Sequence, residues 1–155
     1  MKYETLVQEL RSKSGQRYLG VNVQLSEILP YIDNLRGIVS SEEYTLIINK
    51  QKNRDKGQYH LTLITPDECQ NLSDCQFTEL VGSVCDLELI GLGRANKLDS
   101  YVYYVVCNSN FGNKTREILE FRPKDFHITL GFNRADMHDV TKDSTTILSL
   151  QYLSK

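Results

Sequence analysis

His60-Leu61-Thr62-Leu63, inside the run YHLTLI at 59–64, and His127-Ile128-Thr129-Leu130, inside DFHITLGF at 125–132, repeat one tetrapeptide pattern. Both runs have strand composition, and the period of two in a strand sets His and Thr of each copy on one face. Leu61 with Leu63, and Ile128 with Leu130, then point the other way, into a core. Two copies, each on a strand with a flanking helix, predict two similar lobes that meet along a central cleft. Both His–Thr pairs converge there from opposite sides.

Composition bounds what such a cleft can serve. The chain has 155 residues, 40% hydrophobic and 25% charged. That is ordinary globular composition for a single domain, here 1–155. Eighteen Lys and Arg against 20 Asp and Glu leave a net charge of −2. A charge-driven grip on duplex DNA or an acidic membrane is therefore not expected. No apolar run approaches the ~18 residues of a membrane span. MKYETLVQEL at the start has no apolar signal core, so a soluble, cytoplasmic monomer is the expectation (host cytoplasm, if the source is viral). Cys69, Cys75, Cys85 and Cys107 form no C-x-x-C pair and have no nearby His at zinc-ligand spacing. A chain of this length needs no disulfide framework.

Along the chain, Tyr3, Leu6, Val7 and Leu10 have helical spacing, which predicts a helix over 2–13 ending at Ser14-Gly15. RYLGVNVQL at 17–25 alternates: Leu19, Val21, Val23 and Leu25 form a core face, and Tyr18, Gly20, Asn22 and Gln24 a polar one. Ser26 caps a short helix with Pro30 near its first turn and Gly37 past its end. EYTLIIN at 43–49 reads as a strand, and Lys50, Lys52, Arg54 and Lys56 then crowd an exposed hairpin loop over 49–58. Thr65-Pro66-Asp67-Glu68 is a helix start. A helix around 76–83, strands near 85–91 and 100–107, a helix over 112–120 ended by Pro123, and a last strand in TTILSLQYL complete the reading.

Two imidazoles and two hydroxyls converging on one cleft suit phosphodiester transfer. That reaction needs a base for the attacking hydroxyl and an acid for the leaving oxygen. Imidazole, with an ordinary pKa of ~6.5, serves either role near neutrality. The Thr hydroxyls of residues 62 and 129 can bond the non-bridging phosphate oxygens. No metal or other cofactor is called for, and no carboxylate cluster that would hold one is evident.

The two motifs resemble the H-x-[S/T]-x signatures of the 2H phosphoesterase superfamily. The stretches around Gly91-Leu92-Gly93, Tyr101-Val102-Tyr103, Pro123–Phe132 and Asp136-Met137-His138-Asp139-Val140 are similar to the 2H domain of Swiss-army-knife RNA-repair-type proteins. The resemblance is general over roughly residues 15–145 and specific at the motifs and in 120–143. It implies a bilobal α+β (LigT-like) fold, with two antiparallel sheets around a central cleft and helices outside. It also implies metal-free phosphodiester chemistry, with His60, Thr62, His127 and Thr129 as the catalytic set. The substrate implied is a nucleotide or an RNA end, with a 2′,3′-cyclic phosphate, a 2′-5′ or a 3′-5′ linkage. Phage relatives of this superfamily degrade cyclic nucleotide defence signals, an alternative role. A non-cleaving nucleotide sponge is the rival from another class. Either histidine can be the base.

Further residues have two readings each. Tyr18 stacks on a base if its strand borders the cleft, or packs as an edge aromatic. Tyr101 and Tyr103 share a face and form either a base platform or part of the core. Gly131 continues the His127–Thr129 face and would let a phosphate or sugar approach the backbone; Phe126 and Phe132 fall on the core side. The basic segment 50–56 borders the cleft mouth or is simply solvated. Among Arg122, Lys124, Arg134 and Lys142, one or two bind phosphate or base, and Lys142 is preferred because it belongs to the resembling segment. His138 reads as a loop histidine.

Overall fold

A computed structural model describes residues 2–148. Its seven strands are β1 (Lys2–Leu6), β2 (Gln8–Arg11), β3 (Arg17–Val23), β4 (Tyr59–Ile64), β5 (Val84–Lys97), β6 (Ser100–Asn108) and β7 (His127–Phe132). They form one antiparallel sheet in the order β1-β5-β6-β7-β4-β3-β2. The helices are α1 (Leu25–Ile38), α2 (Ser41–Asp55), α3 (Pro66–Cys69), α4 (Asp74–Leu80) and α5 (Asn110–Ile118). The α+β, two-lobed plan holds, but the two expected sheets are fused. They join where β4 meets β7 through the single pair Leu61 and Ile128. None of the helices among the described residues is long and apolar enough to cross a membrane.

Both motif strands carry an irregularity at the same place. β3 pairs Gly20 with Thr62 but Leu19 with Ile64, which makes Leu63 an extra residue. β6 pairs Tyr104 with Thr129 but Tyr103 with Gly131, which makes Leu130 an extra residue. An extra residue reverses the facing of everything after it. His and Thr of each copy therefore stay on the open face, while the chain beyond them turns over.

Helices α1 and α2 pack on the other face, over the core of Ile28, Ile32, Leu35, Ile47, Leu61, Ile128 and Leu130. The open face of the β5-β6-β7 half is partly covered by the segment after β7. Met137, Val140 and Ile147 close there on Val102, Tyr104, Val106 and Phe132.

Several sequence expectations are corrected. Residues 2–13 are two strands, since β1 pairs with β5 and β2 with β3, and edge pairing overrides the helical spacing. Residues 43–49 lie inside α2, which also absorbs most of the expected loop 49–58. Ser40 caps α2 by accepting from the Glu43 amide, and Tyr44, Ile47, Ile48 and Gln51 face inward at helical spacing. Helix α1 starts one residue before Ser26 and runs through Gly37, leaving Leu25 exposed rather than in the core. The expected last strand is reduced to a short 3₁₀ turn at Ser144–Thr146 and one bridge between Ile147 and Gly93; its remainder lies outside the described residues. The Thr65 to Glu68 capping box forms as expected, and all four cysteines are free thiols.

Candidate active site

On the open face, one cleft of about 1120 Å³ is lined by His60, Thr62, His127 and Thr129 together. The register through Leu61 and Ile128 sets His60 across from Thr129 and Thr62 across from His127. The two pairs thus come from adjoining central strands of one sheet. Tyr18 also lines the cleft, its ring 5.8 Å from that of His60, as do Lys124, Lys142 and His138. Arg54 and Lys56 of the basic segment reach it from the end of α2, while Lys50 and Lys52 do not. Neither Arg122 nor Arg134 lines it.

Two expected binding residues lie elsewhere. Gly131 follows the extra residue Leu130 and so faces the helices. A side-chain carbon there would sit 2.9 Å from the Ile47 carbonyl oxygen of α2, so the glycine serves helix packing. The same reversal carries Phe132 to the open face, into the cluster around Tyr104. Tyr103 is opposite Gly131 and shares its facing. Its ring stacks edge-on with that of Tyr101, whose hydroxyl donates to Glu43 of α2. The β6 tyrosine that meets a catalytic candidate is its neighbour Tyr104, 5.8 Å ring to ring from His127.

The surroundings of the two histidines are unequal. His127 Nδ1 lies 2.7 Å from the Asp125 carbonyl oxygen. A carbonyl only accepts, so Nδ1 carries the proton and Nε2 the lone pair. Burial, then the cations of Lys142 and Lys124, hold the His127 pKa well below the ordinary imidazole value. Burial also lowers that of His60, but Asp55, whose Oδ2 is 3.9 Å from His60 Nδ1, opposes the shift.

Asp136 was not singled out in the sequence, yet it organises this site. It accepts from Arg54, from Lys142 Nζ at 3.1 Å and from the Thr129 hydroxyl at 3.0 Å, with its side chain 5% exposed. Burial alone would raise its pKa, but Lys142 and Arg54 outweigh it and keep the carboxylate ionised far below the usual range. Arg54 in turn grips Asp55 at 2.9 and 2.7 Å. A chain of alternating charge therefore runs His60, Asp55, Arg54, Asp136, Lys142, His127. Lys124 stands outside it, with no hydrogen bond or ion pair to another described residue. Burial first, then Arg116 and Lys142, bring its pKa down to about 8. The Thr62 hydroxyl likewise has no hydrogen-bond partner among the described residues.

An open cleft with two imidazoles, a free hydroxyl and a lightly compensated cation can exchange protons at a bound anion. Residues 23–138 match the family model described as Swiss Army Knife, 2H phosphoesterase domain. No curated protein and no solved structure matches the chain. The matched span is most of the sequence and takes in both His-x-Thr pairs, Arg54 and Asp136, so the chain belongs to the Swiss Army Knife 2H phosphoesterase family and is a phosphoesterase of that kind.

Proposed function

We propose that the protein is a metal-independent phosphodiesterase acting on a nucleotide or an RNA end, with His127 as general base and His60 as general acid. The observation that carries this reading is the unequal surroundings of two histidines on one cleft face, an ammonium beside His127 and a carboxylate beside His60. His127 Nε2 holds a lone pair beside two cations, so it is unprotonated at neutral pH. His60 has a carboxylate beside it and keeps its proton to higher pH than His127.

In the step proposed, His127 Nε2 takes the proton of a water or a ribose hydroxyl as its oxygen bonds to phosphorus. The bond to the leaving oxygen breaks on the far side, and His60 supplies the proton to that oxygen. Thr62, unengaged at rest, donates to a non-bridging oxygen, and Lys124 adds positive charge. Asp55 and Asp136 together offset Arg54 and Lys142, leaving Lys124 as the uncompensated cation, which suits the single negative charge of a diester better than a dianionic monoester. The cleft exceeds the ~300–1,000 Å³ of common small-molecule sites, ample for a nucleotide with its neighbour. Tyr18, beside His60, offers a ring for a base.

The test is product formation from a panel of cyclic mono- and dinucleotides, 2′-5′ oligoadenylate and RNA ending in a cyclic phosphate, read by mass spectrometry with EDTA present. Turnover that survives chelation and is abolished by both His60→Ala and His127→Ala is expected. Tight binding without turnover by the unaltered protein would replace the enzyme reading with that of a sponge.

A further inference from the structure

The nitrogen that has to take the proton is already covered. With Nδ1 of His127 committed to the Asp125 carbonyl, Nε2 is the only basic atom of that ring, and Lys142 Nζ lies 3.4 Å from it. Lys142 also donates to Asp136 Oδ1 at 3.1 Å and sits 5.7 Å over the Tyr104 ring. Its side chain is 2% exposed, and its backbone amide is anchored on Asp125 Oδ2 at 3.1 Å. Asp125 thus holds both partners, the ring through its carbonyl and the lysine through its carboxylate. An ammonium has three N–H groups and no acceptor, so against Nε2 it can only donate. While it does, the base is masked.

We propose that Lys142 is a substrate-responsive catalytic residue. In the empty cleft it caps Nε2 of His127, and an arriving phosphate draws that N–H onto a non-bridging oxygen, which frees the base where the nucleophile will stand. The inference rests on the reading of His127 as base. The resemblance over 120–143 makes Lys142 a candidate phosphate contact, and the exchange between the ring and the phosphate goes beyond it. The exchange is chemically matched. The ammonium gives up a bond to a neutral nitrogen for one to an anionic oxygen, which is the stronger kind. Asp136 keeps its end in place meanwhile, so the movement is a reorientation of one donor. The same charge then serves the phosphate as negative charge builds on it. The charged groups around His127 are Lys142, Lys124 and Asp136, with Arg54 behind Asp136.

The test reads the ring directly. In the protein labelled with ¹⁵N-histidine, titration of His127 is followed by NMR with and without inorganic phosphate, in wild type, Lys142→Met and Lys142→Arg. In the free protein, Lys142→Met is expected to move the His127 titration toward the ordinary imidazole value, because a neighbouring cation is gone. Phosphate should change the Nε2 signal strongly in wild type and little in Lys142→Met. With a diester substrate, kcat should fall by about two orders of magnitude in Lys142→Met, the usual loss for one oxyanion donor. Lys142→Arg, which keeps the charge, should recover part of it. Should Lys142→Met fail to fold, Lys142→Gln takes its place, and the phosphate response of the wild-type ring decides alone. An unchanged Nε2 signal on phosphate binding, or a titration indifferent to loss of the lysine, overturns the proposal. The NMR readouts need no turnover, so they fail or succeed separately from the diesterase reading.

Discussion

Replacing Asp136 by Asn keeps the shape of the side chain and removes its charge, which exposes how this site is held. The carboxylate is 5% exposed and Lys142, its partner, 2%. Arg54 retains Asp55, but the Lys142 ammonium has no second carboxylate within ion-pair distance among the described residues. Breaking a buried pair from one side costs ~3–5 kcal/mol, because the remaining charge stays buried without compensation. At ~2–4 °C per kcal/mol for a chain of this size, Asp136→Asn should melt about 6–20 °C below wild type at pH 7. The pH dependence has a definite sign. Asp136 titrates below its unfolded value of ~3.9, so its contribution is complete above that pH and fades as pH falls further. The gap between wild type and Asp136→Asn should therefore hold from pH 7 to about 5 and narrow below 4. The second arm is the double variant Asp136→Asn/Lys142→Met. With both charges gone, the penalty for an orphaned ammonium disappears, and the double variant should be more stable than Asp136→Asn alone. Calorimetry or urea titration at pH 7 and pH 3.5 reads both arms. Strictly additive losses, or a single variant as stable as wild type, would refute the claim that this pair is a coupled, buried charge pair.

Other expectations follow from the same geometry. The kcat/KM profile should be a bell whose optimum lies on the acid side of pH 6.5, since His127 and His60 are both lowered from that value; an optimum above pH 7.5 would contradict the assignment. Thr62→Val should reduce kcat by about two to three orders of magnitude, measured in single-turnover experiments, and an intact kcat removes that hydroxyl from the mechanism. Gly131→Ala should cost ~1–3 kcal/mol in urea unfolding, because its methyl group meets the Ile47 backbone of α2 at 2.9–3.0 Å, while KM stays near wild type. A large KM effect at unchanged stability would instead return Gly131 to the ligand.

The sequence made the motif strands legible because period-two alternation in Tyr59–Ile64 and in the run before Gly131 survives in the structure. It misled at Gly131 because one extra residue, Leu130, is invisible to alternation yet reverses all that follows, and at Tyr103 because alternation in β6 does not say which face borders the cleft. Helix α2 was hidden by its Tyr-Thr-Leu-Ile-Ile run, which has strand composition. The helical signal was nonetheless present in Ser40 three residues before Glu43 and in Tyr44, Ile47, Ile48 and Gln51. At the N-terminus Tyr3, Thr5 and Val7 alternate inward, a pattern masked by the competing spacing of Leu6 and Leu10. Arg54 and Asp136 are 82 positions apart and meet only through tertiary structure, so no local pattern could pair them.

Two copies of one His-x-Thr-Leu pattern become unequal because different parts of the chain reach them. The end of α2 brings Asp55 to His60, whereas the segment after β7 brings Lys142 to His127. Arg54 and Asp136 tie these two supports into one line of charge across the cleft. For acid–base catalysis with both groups in their working forms, the base must lose its proton at lower pH than the acid does. A symmetric pair would give two equal values and only a small fraction of correctly protonated enzyme at any pH. Here a cation stands beside one ring and a carboxylate beside the other, which pushes the two titrations apart in the order the proposed reaction needs. Exchanging those neighbours, with Asp55→Lys and Lys142→Asp, would set the order against the reaction. On the proposed reading, the repeated motif supplies the acid and the base, and the unrepeated segments around it decide which histidine is which.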